Sequence, residues 1–145
     1  MEFIRSRPIS DTIDKANPRE QQNLLTALVD ASNVYASDKD TQDFLRAENG
    51  RLKTSAGNLL MRGRDGDCIR TNAPHCFAAG DDRVHVFPGL TALHTLFVRL
   101  HNYIADRLDT NTDWDGETIF QETRKIVSAL MQKITYEEFL PEILD

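Results

Sequence analysis

The chain has 145 residues, 40% hydrophobic and 28% charged, and its 17 Lys and Arg against 23 Asp and Glu leave a formal net charge of −6. That length suits one ordinary domain, and the acidic balance excludes an electrostatic nucleic-acid binder, which needs a basic face. No apolar run reaches the roughly 18 residues of a membrane-spanning helix, and the start, Met1-Glu2-Phe3-Ile4-Arg5-Ser6-Arg7-Pro8, lacks a signal-peptide pattern.

In chain order, the first 20 residues are polar, carry Pro8 and Pro18, and read as a loop-like lead-in. A first helix is predicted within Arg19 to Tyr35, with Leu24, Leu25, Leu28 and Val29 on one side. Its continuation, Asp30 to Ser37, is rich in short polar residues that favour turns. Asp38 to Arg46 is a short helix with Ser37 as its cap and Phe44 and Leu45 as its buried residues. Asn49 to Pro74 holds four of the seven glycines and reads as loop, with a brief strand at Arg51 to Lys53. After Pro88, the residues Leu90, Leu93, Phe97, Leu100, Ile104 and Leu108 recur at three- and four-residue steps, which predicts an amphipathic helix of about five turns. Asn111, Thr112 and Asp113 break it. A second long helix follows from about Asp115 to Thr135, burying Ile119, Phe120, Ile126, Val127, Leu130 and Ile134. Tyr136 to Leu144 continues as helix until Pro141 interferes. The fold class is mainly α, with two long amphipathic helices behind an irregular, loop-rich N-terminal half. Such an arrangement makes a poor closed core on its own, so the chain reads as part of something larger.

Several side chains could carry chemistry. His94 and His101 share a helix face but stand two turns, about 10 Å, apart, too far to hold one ion unaided; core histidines with hydrogen-bond partners are expected. Thr26, Asp30 and Ser32 alternate around Leu28, and their oxygens together with the Leu28 carbonyl could converge on a hard cation. Spacing alone favours capping and turn chemistry there. Arg83 follows Gly80 on a short loop ahead of the long helix, a place to bind an anion or stabilise developing negative charge, although most loop arginines are simply solvated. Cys68 and Cys76 are the only thiols; two cysteines offer too few ligands for zinc and do not fix a redox compartment.

These signals coincide with longer motifs. Cys76-Phe77-Ala78-Ala79-Gly80-Asp81-Asp82-Arg83, followed by Pro88-Gly89-Leu90-Thr91-Ala92-Leu93-His94-Thr95-Leu96-Phe97, resembles the animal haem peroxidase family, which includes peroxidasin, dual oxidase and the thyroid and myeloid peroxidases. So do Trp114-Asp115-Gly116-Glu117, Gln121 to Val127, and Ile134-Thr135-Tyr136, while Asp30-Ala31-Ser32-Asn33-Val34-Tyr35 is similar to the family's calcium-loop motif. The motifs occur in order over nearly the whole chain. The resemblance implies residues 1–145 as part of a single, longer peroxidase domain, truncated at both ends. It also implies haem b and calcium as cofactors, hydrogen peroxide and a halide or small organic donor as substrates, a role in the response to oxidative stress, and an extracellular or secretory-pathway setting for the parent protein. By the same resemblance Arg83 is the distal arginine, Thr26, the Leu28 carbonyl, Asp30 and Ser32 are calcium ligands, and Cys68 and Cys76 form a local disulfide.

Two departures from the family pattern are chemical. The resemblance places the distal histidine base, with a last calcium-binding aspartate, upstream of this chain and the proximal iron-ligating histidine downstream; His75, His85, His94 and His101 match neither. Three residues after Arg83, where many relatives carry a glutamate that esterifies haem, stands Val86, and Phe87 replaces the thioether position of the myeloid branch. Haem beside Arg83, Val86 and Phe87 would therefore be held non-covalently. The alternative reading is a non-catalytic peroxidase fragment that serves as a calcium-binding or protein-interaction module.

Overall fold

The structure, a computed structural model, describes Ile9 and residues 20–64 and 76–144. Most of the polar lead-in, together with Cys68 and His75, lies outside the described residues. Within them the elements are short helices α1 (Ser32–Tyr35) and α2 (Lys39–Leu45), a two-stranded hairpin of β1 (Thr54–Ser55) and β2 (Leu59–Leu60), and a 3₁₀ turn at Asp82–His85. Long helices α3 (Pro88–Asn111) and α4 (Gly116–Lys133) follow, and a π-helical turn at Ile134–Phe139 leads into α5 (Leu140–Ile143). The chain is mostly helical, as its periodicity predicts.

Capping explains several boundaries. Asp38, not Ser37, begins α2: its carboxylate accepts the Thr41 amide at 2.8 Å. Asp115 does the same for α4 through the Thr118 amide. Pro88 occupies the first turn of α3, where its missing N–H costs nothing. The expected helix within Arg19 to Tyr35 is corrected. Residues 20–31 are irregular, and the helical turn falls instead on Ser32–Tyr35, in the stretch whose composition favours turns. Side-chain bonds to Asp30 compete with helix before it, and Ala31 adopts a left-handed φ of 61° just ahead of the turn. Pro141 does not end the last helix either, because it lies in the first turn of α5.

The core is built where α3 crosses α4 and both meet α1. Its fully buried side chains include Val34, Tyr35, Leu60, His101, Ile119 and Val127. The buried stripe of α3 is His94, Val98, His101 and Ala105, one step away from the predicted leucine stripe, while Leu93 is 55% exposed. On α4 the buried residues are Ile119, Phe120, Thr123 and Val127; Ile126 and Ile134, expected inside, are exposed. The hairpin pairs Thr54 with Leu60 and Ser55 with Leu59, just past the strand expected at Arg51 to Lys53. It is fastened to α3 by Asn102, which accepts the Leu52 amide at 2.8 Å and donates to the Leu52 carbonyl at 2.9 Å. Arg99 adds bonds to the carbonyls of Gly57 and Asn58.

Candidate functional site

Two polar constellations face one groove. The first grows from the irregular segment before α1. Thr26 Oγ1 lies 2.8 Å from Asp30 Oδ1, 2.9 Å from Ser32 Oγ and 3.3 Å from the Leu28 carbonyl oxygen. Thr26 and Ser32 bring two hydroxyl protons to these three contacts, so the four oxygens crowd together with fewer protons than contacts. Their mutual spacing is what ligands 2.3–2.6 Å from a common cation would have, and a hard oxygen-loving ion is what such a set could hold. Asp30 Oδ1 also accepts the Ser32 amide at 3.0 Å, which fixes the carboxylate's orientation. From outside, α4 holds the same segment. Ser128 donates to the Asp30 carbonyl at 2.9 Å, and Gln132 donates to the Val29 carbonyl at 2.8 Å. Among the described residues no cluster of three or more His, Cys, Asp and Glu could hold a metal, so what this cluster itself offers a cation is neutral oxygens and the single carboxylate of Asp30.

The second constellation is Arg83 in the 3₁₀ turn. Asp81 caps the turn by accepting the Arg83 amide at 2.8 Å. Its carboxylate then grips the same residue's guanidinium, Nε at 2.9 and 3.2 Å and Nη2 at 2.6 Å. These bonds hold the Asp81 carboxyl below its ordinary range and raise Arg83 further. Asp81 is buried while the Arg83 side chain is 65% exposed, so the arginine is anchored at one edge and open at the other. Val86 and Phe87, at the end of the turn, are both exposed.

Gly80 joins the two constellations. A Cβ there would stand 2.2 Å from Ala36 N, 2.4 Å from Ser32 O and 2.8 Å from Tyr35 N, all backbone atoms of α1 or its cap. The arginine loop therefore lies directly on the helical turn that begins with Ser32. Between them opens a groove of about 550 Å³ whose lining includes Thr26, Asp30, Ser32 and Arg83, with Leu93 and Leu96 of α3 and Ile134 supplying apolar surface.

All 145 residues match the family described as animal haem peroxidase. The chain belongs to the animal haem peroxidase family. It is 46% identical over 145 residues to peroxidase skpo-1 of Caenorhabditis elegans, covering 98% of this chain and 21% of that one. It is 41% identical over 165 residues to peroxidasin homolog pxn-2 of the same organism, covering 99% of this chain and 12% of that one. Among solved structures, peroxidase A from Dictyostelium discoideum superposes with a TM-score of 0.77 at 28% identity, over 89% of this chain and 27% of that one. The chain thus spans only a fraction of the length of the haem peroxidases it matches.

Haem fits this site on one side only. Arg83 offers an exposed cation, and Val86 and Phe87 offer exposed apolar surface beside it. Val86 has no carboxylate, and His94 and His101 are committed to hydrogen bonds inside the core. His94 is buried and its Nδ1 donates to the Leu90 carbonyl at 2.7 Å. His101 is fully buried with both ring nitrogens bonded. Both are core histidines, as their helix positions predict. Cys76 is buried and disulfide-bonded, whereas Cys68 lies outside the described residues.

The residues that sequence reasoning missed are Gly80, Asp81, Ser128 and Gln132. Asp81 had a local signal, since an Asp two residues before an Arg in a glycine-led loop can cap and grip it at once. The contacts of Gly80, Ser128 and Gln132 join distant segments and have no local signature.

Proposed function

We propose that this chain is one stretch of a haem peroxidase domain that reduces hydrogen peroxide and oxidises a halide or small organic donor. The observation that carries the reading is the shared groove, with a clamped, outward-facing arginine on one side and a four-oxygen cluster on the other, in a chain of this family. Arg83, held by Asp81, would stabilise negative charge as the O–O bond of peroxide breaks. Arg83, Val86 and Phe87 would hold one edge of haem b, which when bound supplies the redox chemistry toward peroxide. Thr26, the Leu28 carbonyl, Asp30 and Ser32 would be four of the ligands of a calcium ion. A segment carrying both the base and the last calcium-binding aspartate would have to touch the oxygen cluster and Arg83 together, and the groove borders both. Cys68 and Cys76 would close a local disulfide, consistent with an extracellular or secretory-pathway protein acting under oxidative stress.

The test uses the full-length protein containing this chain. Arg83→Ala is expected to lower peroxide turnover by about 10²–10³-fold with the haem absorption spectrum retained. Undiminished turnover in a haem-loaded variant would overturn the assignment of Arg83. Calcium is expected to raise the melting temperature of the parent and not of Asp30→Ala. The 145-residue chain alone, mixed with haemin, is expected to show no turnover above free haemin. A second reading, a non-catalytic calcium-binding or interaction module, draws support from Val86 and Phe87. A full-length protein that binds calcium but no haem would favour it.

A further inference from the structure

Tyr35 and His101 are placed together by elements 66 residues apart in sequence, and their bonding fixes where every proton sits. His101 Nε2 lies 2.8 Å from the Gly50 carbonyl, which can only accept, so Nε2 carries the proton and donates. In the neutral ring Nδ1 is then a bare lone pair, and the Tyr35 hydroxyl, 2.8 Å away, donates to it. The chain thus contains a phenol hydrogen-bonded to an imidazole base whose second N–H already has its acceptor. Both side chains are fully buried. The other two tyrosines, Tyr103 and Tyr136, are 57% and 61% exposed, and the Tyr103 hydroxyl accepts from Arg107 instead of facing a base.

We propose that Tyr35 and His101 form a proton-coupled redox pair, in which Tyr35 gives one electron to a strong oxidant generated at the neighbouring groove while its phenolic proton passes to His101 Nδ1. The step balances within the pair. Tyr35–OH becomes a neutral phenoxyl radical, the oxidant is reduced by one electron, and His101 becomes an imidazolium. Its new Nδ1–H donates back to the phenoxyl oxygen, and Nε2–H still donates to Gly50, so no atom has to move to satisfy the products. When an electron returns, so does the proton. The identity of the oxidant, a peroxide-activated haem, rests on the function proposed above; the redox chemistry of the pair does not.

The surroundings suit this role. Burial pushes the Tyr35 phenol above its ordinary pKa, so it has no simple route to tyrosinate and loses its proton only together with an electron. Burial also holds His101 down at about 4, which keeps it neutral and able to accept at physiological pH. An oxidised phenol is a far stronger acid than any imidazolium, so even this weakened base takes its proton. The charges facing the pair are Arg124 from α4, over the Tyr35 ring, and Arg46 from the end of α2, which lies over Phe120 and pairs with Glu117. Arg46 disfavours a lasting imidazolium and so favours return of the proton, while Arg124 acts on the Tyr35 phenol and offsets part of the effect of burial there. Tyr35 is also near the groove: its backbone nitrogen lies 2.8 Å from the Cβ position of Gly80, three residues before Arg83.

The experiment supplies its own oxidant, a photogenerated ruthenium(III) polypyridyl complex, to the full-length protein containing this chain, without peroxide and carrying Tyr103→Phe, Tyr136→Phe and Trp114→Phe. A neutral tyrosyl radical component that is slowed in D₂O and missing from the Tyr35→Phe variant is expected by electron paramagnetic resonance. His101→Gln, which cannot take the proton, is expected to slow its formation by about a hundred-fold. No such component, or an undiminished rate in a His101→Gln protein with native circular dichroism, would overturn the pair and leave a structural hydrogen bond. Should His101→Gln not fold, buffer dependence decides with His101 intact: a rate independent of buffer-base concentration supports transfer to His101, and one proportional to it overturns the proposal. The same radical in peroxide-treated full-length protein would then report on the oxidant, so failure of that arm alone counts against the peroxidase reading and not against the pair.

Discussion

Replacing Gly80 with alanine tests the contact that joins the arginine loop to the oxygen cluster. The added methyl would stand 2.2 Å from Ala36 N and 2.4 Å from Ser32 O, the donor and acceptor of the 2.7 Å bond that closes α1. Real Cβ atoms do not approach backbone this closely, and none of the three neighbours is a flexible side-chain tip that could swing aside. Helix α1 has little slack to give, since Ala31 and Ala36 on either side of it are already at φ 61° and 70°. Ala36, with ψ at 165°, sits in a region that glycine alone normally occupies. The loop and the helix must therefore separate. Overpacking of this kind costs about 1–3 kcal/mol, and an all-backbone environment places Gly80→Ala at the upper end. At roughly 2–4 °C per kcal/mol for a chain of this size, Tm should fall by about 6–12 °C. Thermal melts followed by far-ultraviolet circular dichroism, with and without calcium, measure it. The separation should also loosen Ser32 from the oxygen cluster, so any calcium-induced rise in Tm should shrink. A variant that melts within about 1 °C of the parent would refute the close approach and the mechanical link built on it.

Two further outcomes follow from the core. His101 is held neutral at about 4 in the folded chain against an ordinary value of 6.5, so between those limits the unfolded chain binds more protons and stability falls as pH is lowered. The full loss is about 3 kcal/mol on passing from pH 7 to below pH 4, and His101→Gln should flatten that part of a urea-midpoint-versus-pH profile. Phe120 is buried edge-on to Tyr35, tilted against His101 and capped by the Arg46 guanidinium 3.9 Å from its ring centre, so Phe120→Ala should cost about 3–5 kcal/mol by urea denaturation.

The sequence made the long helices legible but misjudged which faces they bury. On α3 the apolar period selects Leu90, Leu93, Phe97 and Leu100, yet the side turned inward carries His94 and His101. A hydropathy pattern penalises histidine because it cannot see its partners: the Leu90 carbonyl for Nδ1 of His94, whose Nε2 is buried with none among the described residues, and Tyr35 with Gly50 for both nitrogens of His101. Leu93 and Leu96, meanwhile, face the groove and stay exposed. At the site, Thr26, Asp30 and Ser32 could be recognised as a ligand set only through their likeness to a family motif, since alternating oxygens serve turns equally well. Their convergence on one hydroxyl needs the irregular backbone of residues 26–31, which no periodicity describes. Arg83 was legible as a loop arginine, whereas the grip of Asp81 needed the turn geometry.

His101 also governs when the chain can fold during synthesis. Its two bonds join residues 51 and 66 positions away, and the aromatic ring packed against both His101 and Tyr35, Phe120, comes from the following helix. No stretch leaving the ribosome before α4 can complete this centre. Val34, Tyr35 and Leu60 must therefore wait, with their apolar surface uncovered, for on the order of ten seconds of translation. An interval of that length is long for unprotected hydrophobic groups and leaves them open to non-native association.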